Sequence, residues 1–117
     1  MGNRAVIVFS RPAKATPAIY LHWNGGLASV LGFTAAAKQL GIHNLTDFGE
    51  MIKRWMSSVY LEPYGKTDAD NGDNGVYIID PDSLDIVGRQ FACEEEEVNP
   101  EKTAKIAELV LEAQRKG

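Results

Sequence analysis

One cysteine, Cys93, and two histidines, His22 and His43, are all the chain offers of the side chains that most often bind transition metals or act as nucleophiles. A lone thiol forms no internal disulfide, and three scattered residues make no zinc set. No metal or other cofactor is therefore expected. Glu94 to Glu97 follow Cys93 directly, and their negative field suppresses the thiolate that covalent chemistry needs. Long apolar runs are missing as well. No stretch approaches the roughly 20 residues a helix needs to cross a bilayer. The opening MGNRAVIVFS lacks the apolar segment and cleavage site of a secretory signal. Met1-Gly2 is at most one lipid-anchor signal without a second. The expectation is a protein of a reducing cytoplasm with no membrane contact.

What is present is the composition of a folded protein. The 117 residues are 44% apolar and 24% charged, which suits a single domain over residues 1–117. Ala5 to Phe9 is continuously apolar and β-branched, the pattern of a central strand covered on both faces. Pro12 and Pro17 break the chain before a second strand, Ala18 to Trp23. There Ile19, Leu21 and Trp23 share one face and Tyr20 and His22 the other. The spacing predicts a helix over 27–40, ended by Gly41. A second helix, capped by Thr46, follows from Phe48, Met51, Ile52, Trp55, Met56 and Val59 at helical intervals. Residues 60–66 fit no pattern. A polar loop, 66–75, leads to the strand Val76 to Ile79, the turn Asp80 to Ser83 and a partner strand over 84–92. Pro100 opens a last helix carrying Ile106, Ala107, Leu109, Val110 and Ala113. The order β-β-α-α-β-β-α predicts an α+β fold in which two hairpins make a small antiparallel sheet, with three helices mainly on one face.

Charge is segregated along the chain. Residues 1–61 carry six basic and two acidic side chains, whereas residues 62–101 carry two basic and twelve acidic. That bias disfavours direct contact with nucleic acid and favours a basic partner or a cation. Asp68, Asp70 and Asp73 lie before one predicted hairpin, Asp80 and Asp82 in its turn, and Glu94, Glu95, Glu96 and Glu97 after it. These nine carboxylates are the candidate protein-binding face. The loop DADNGDNG does not match the spacing of an EF-hand, so calcium is not expected.

The stretch IYLHWNGG raises a second possibility. A strand entering a glycine turn that opens a helix can aim backbone amides at an anion. His22, Trp23, Asn24, Gly25 and Gly26 form this alternative ligand-binding or enzymatic centre. NGGLAS is similar to the SGGxDS loop of ATP pyrophosphatases at Gly25, Gly26 and Ser29, but has Asn24 and Ala28 where that loop has serine and aspartate. That family also needs a larger parallel sheet. The competing reading is a tight corner, because glycines tolerate positive φ and Asn is a natural turn residue. No other arrangement resembles a catalytic set, so an enzyme is not expected.

The combination GNRAVIVF, YLHWNGG and DNGDNGVYIID, over residues 2–80, resembles a group of small bacteriophage and mobile-element proteins, most without assigned activity. The resemblance implies a protein acting in the cytoplasm of an infected bacterium by binding a host or viral protein, as anti-CRISPR and other host-defence inhibitors do. Charged residues stand in that group where this chain has Leu27 and Ala28. Pairing with a second copy through a sheet edge or the last helix is left open.

Overall fold

The computed structural model describes residues 3–92 and 97–116. Five strands form one mixed sheet: β1 (Ala5–Val8), β2 (Pro17–Leu21), β3 (Val59–Pro63), β4 (Val76–Ile79) and β5 (Ile86–Gln90). Their spatial order is β3-β2-β1-β4-β5. Three helices, α1 (Leu27–Leu40), α2 (Leu45–Trp55) and α3 (Pro100–Lys116), complete the fold. As its sequence requires, β1 occupies the centre and is buried along its whole length.

The sheet departs from two antiparallel hairpins in two ways. Both expected hairpins form, β1 with β2 and β4 with β5. They join through a parallel pairing of β1 with β4, so the sheet is mixed. Strand β1 thus has a backbone partner on each edge, while the helices cover one of its apolar faces and Tyr64 and Ala69 pack on the other. The other departure is β3, an extra strand that pairs antiparallel with β2 along its full length. It arises where α2 stops early. Met56 takes extended backbone angles after Trp55, and Ser58 takes a φ of 62°, which turns the chain back along the sheet. Val59 therefore begins a strand and does not continue the helical stripe.

Helix α1 spans the predicted residues and ends at Gly41, in the left-handed region at φ 71°. Helix α2 is capped by Asn44 and not by Thr46: the Asn44 side chain accepts a bond from the Asp47 amide at 2.8 Å. Asn99 plays a similar part for α3, its Oδ1 accepting from the Lys102 amide at 3.1 Å. On α3, Ala107 and Val110 are buried, and Ile106 and Leu111 pack against the core, while Leu109 lies outside it.

All three helices bury their apolar faces on one side of the sheet, over Ala5, Ile7, Ile19, Leu21, Tyr77 and Ile79. The opposite face holds Val6, Val8, Ala18 and Val76, against which Tyr20, Tyr64, Ala69 and Ile78 pack. Tyr64, in a short 3-10 turn over Tyr64–Lys66, and Ala69 come from the connection after β3, so that connection and not one of α1 to α3 covers that side. It packs on the cluster Val6, Val8, Ala18 and Val76, while Tyr60 of β3 stays 51% exposed. Among the described residues no helix is long and apolar enough to cross a membrane.

Candidate functional site: an aromatic row beside an acidic loop

Alternation along β2 places Tyr20 on the sheet face away from the helices, and His22, just past the end of the strand, lies next to it. Antiparallel register sets Tyr60 of β3 directly opposite Tyr20, and Glu62 opposite Ala18. The Tyr20 and Tyr60 rings stack with centroids 6.3 Å apart and planes 28° from parallel. Tyr20 also meets His22 edge-on at 6.4 Å, and His22 meets Trp23 edge-on at 4.7 Å. A continuous row of four rings results, running from the β3 edge to the end of β2. Tyr60 is 51% exposed and Trp23 48%, so both ends of the row face solvent. The register expected to place Trp23 with Ile19 and Leu21 fails because β2 ends at Leu21.

The loop beside this row is fixed by its asparagines. Asn71 is buried, accepts from the amides of Asp73 and Gly75, and donates to the carbonyls of Asp68 and Gly75. Asn74, also buried, donates to the Arg4 carbonyl at 3.1 Å. One polar hub thus satisfies a tight turn and ties it to the start of β1. Arg4 closes the arrangement: its Nε donates to Asp73 at 2.8 Å and its Nη1 to Asp68 at 3.2 Å. That contact raises the Arg4 pKa and lowers that of Asp73, the side-chain hydrogen bond being the leading cause in each case. Among the described residues Glu62 and Asp70 have no ion-pair partner within bonding distance. At this corner Asp68 and Asp73 share the Arg4 guanidinium, while Glu62 lies further along β3, opposite Ala18 and on the same face as Tyr60. Tyr20 reports the neighbourhood. Burial is the first cause raising its pKa, and the charges of Asp68, Asp73 and Glu62 add to it, opposed by Arg4.

The sequence candidates divide between two ends of the sheet. Asp68, Asp70 and Asp73 lie at the end where β1 and β4 begin, together with His22, Trp23, Asn24, Gly25 and Gly26. Asp80 and Asp82 lie at the far end of β4. There Asp80 accepts from the amides of Asp82 and Ser83 at 2.8 and 3.0 Å, which lowers its pKa and holds the β4–β5 turn. Nearby Asp85 pairs with Lys38 at 3.4 Å. Glu97 is exposed ahead of α3, and Glu94, Glu95 and Glu96 fall outside the described residues, as does Cys93.

The glycine turn is packed into the molecule. Asn24 sits in the left-handed region at φ 56°. The Gly25 amide donates to the Asn3 carbonyl at 2.7 Å, and its carbonyl accepts from the Tyr77 hydroxyl, also at 2.7 Å. A Cβ on Gly25 would come within 2.5 Å of the Ala5 Cβ. Both backbone groups of Gly25 are committed inside the protein, so the corner needs glycine for close approach. Gly26 caps α1 without a side-chain bond.

Sequence reasoning identified the loop and the turn but missed Tyr60, Glu62 and Arg4. Tyr60 and Glu62 lay in the segment without a pattern, and only cross-strand register brings them beside Tyr20. Among the described residues no group of three or more His, Cys, Asp or Glu side chains is arranged to hold a metal. Comparison of the chain with protein-family models, with curated proteins and with solved structures finds no match.

Proposed function

We propose that this chain is a non-enzymatic binding protein that holds a basic surface of a host or viral protein. In keeping with the sequence resemblance, we assign it a bacteriophage or mobile-element origin and a role in the bacterial cytoplasm as an inhibitor of a host-defence complex, of the anti-CRISPR kind. The observation that carries the reading is the row Tyr60, Tyr20, His22 and Trp23, whose Tyr20 feels the charges of Asp68, Asp73 and Glu62. Carboxylates attract a basic partner from a distance and speed the encounter. Exposed rings then provide contact area and faces on which a guanidinium or ammonium group can rest. The binding face so defined runs along the outer side of β2 and β3 next to the loop, with Asp80 and Asp82, in the β4–β5 turn, outside it.

A nucleotide or anion site at the Gly25-Gly26 turn draws less support, because the Gly25 amide already donates to Asn3. The test is affinity purification from infected cells with the wild-type chain and with Glu62→Gln/Asp68→Asn/Asp70→Asn. A basic protein retained by the first and lost by the second is expected. A partner held equally by both would contradict the reading.

A further inference from the structure

The aromatic face ends at an open sheet edge, and the hydrogen-bond pattern shows which groups that edge presents. The His22 amide donates to the Ser58 carbonyl at 3.2 Å, and the Tyr64 amide to the Thr16 carbonyl at 2.8 Å. In an antiparallel pair, bonded and non-bonded residue pairs alternate. Between those two anchors, Tyr20 with Tyr60 and Ala18 with Glu62 are then the bonded pairs. Tyr60 and Glu62 turn their backbone groups inward to β2. Leu61 turns its N–H and C=O outward, and Pro63 adds a carbonyl but no donor. Strand β3 is the last in the sheet, and the Leu61 side chain is 45% exposed beside it.

We infer that this edge takes an extended basic segment of the partner as a sixth strand. The inference rests on the proposed function and specifies how the partner is held. An added strand bonds to Leu61 and to the Pro63 carbonyl, and its side chains alternate between the two faces of the sheet. Those on the aromatic face lie next to Tyr60 and Glu62, with Asp68 and Asp70 in the loop beyond. That surroundings fits arginine or lysine by charge, and arginine also by stacking on a tyrosine ring. Those on the other face lie beside Leu61, which fits an apolar residue. The segment recognised is therefore a short alternation of basic and apolar residues. Its length is limited at the Pro63 end, where the chain turns away and the Gly65 amide bonds to the Lys14 carbonyl.

The probes are a labelled six-residue Arg-Val-Arg-Val-Arg-Val peptide and the same peptide N-methylated on the residues that would bond to the edge. N-methylation removes backbone donors and leaves charge in place. At low salt the unmethylated peptide is expected to bind at least about tenfold more tightly, and to slow hydrogen exchange at the Leu61 amide. On the protein side, Leu61→Pro removes the outward donor without touching the inward bonds and should bind about tenfold more weakly than Leu61→Ala. Equal binding of the two peptides overturns the inference even if Leu61→Pro fails to fold. If that equal binding is still lost in Glu62→Gln/Asp68→Asn/Asp70→Asn, the acidic-face reading survives alone. No binding of either peptide by the wild-type chain counts against both. A free chain that sediments as a dimer, dissociated by Leu61→Pro, would give the edge to a second copy and also overturn the inference.

Discussion

The hydroxyl of Tyr77, on β4, donates to the carbonyl of Gly25, in the turn between β2 and α1, at 2.7 Å across a buried part of the protein. The Arg89 guanidinium lies over the same ring, 3.9 Å from its centre, and Arg89 also donates to the Asn74 carbonyl at 2.9 Å. Two segments that matter for the binding face, the HWNGG turn and the asparagine loop, are thus held against one strand. Tyr77→Phe leaves the Gly25 carbonyl without this buried donor, a loss of about 1–3 kcal/mol. Chemical denaturation of the two proteins, with an unchanged slope, checks it.

Gly25→Ala tests the corner from the other side. Its Cβ would press on Ala5 at 2.5 Å and on the Asn3 carbonyl at 2.6 Å, neither of which can move without shifting β1. The expected cost is about 1–3 kcal/mol, the usual range for overpacking. A melting temperature equal to that of the wild type would show that the turn is looser than described.

Acid should weaken the fold through Asp73 and Asp80. Both carboxylates have lowered pKa values in the native state, Asp73 through its hydrogen bonds from Arg4 and Asp80 through the amides of Ser83 and Asp82. A lowered native pKa means that the unfolded chain binds protons more readily. The stabilisation is therefore complete above the unfolded aspartate value near about 3.9 and is lost as pH falls through the native values. Urea midpoints measured from pH 6 downward should fall less steeply for Asp73→Asn than for the wild type, because that variant has already lost its share.

Helix α2 allows a direct choice between two caps. Asn44→Ala should cost about 1 kcal/mol, since it frees the Asp47 amide, whereas Thr46→Ala should change stability by no more than about 0.5 kcal/mol. Thermal unfolding of both variants decides it.

These elements differ in how far the sequence alone exposed them. The span of α1, the centrality of β1 and both hairpins follow from local patterns: the Gly41 stop, the unbroken AVIVF run and the turn residues. Strand β3 does not, because Val59 continues the spacing of Phe48, Ile52 and Trp55 and only the backbone at Met56 and Ser58 breaks it. The parallel pairing of β1 with β4 is non-local, and the Arg4–Asp73 bond beside it joins residues 69 apart. For the site, the alternation that set Tyr20 on the face away from the helices was visible, and so was the excess of aspartate. That the loop and the HWNGG turn share one end of the sheet, while Asp80 and Asp82 lie at the other, is a property of strand direction. Linear charge counting cannot register it. The asparagines of DNGDNG read as turn formers, yet Asn71 and Asn74 are buried hydrogen-bonding hubs, a role set by tertiary contacts.

The central claim is that the aromatic face with Glu62, Asp68 and Asp70, and not the acidic second half of the chain at large, attracts the partner. The association rate with the purified partner, measured against ionic strength, tests this most directly. Glu62→Gln/Asp68→Asn/Asp70→Asn should slow association by about tenfold or more at low salt and flatten its salt dependence, while Asp82→Asn/Asp85→Asn at the far end should leave the rate within about twofold. Equal effects from the two sets, or none from the first, would contradict it.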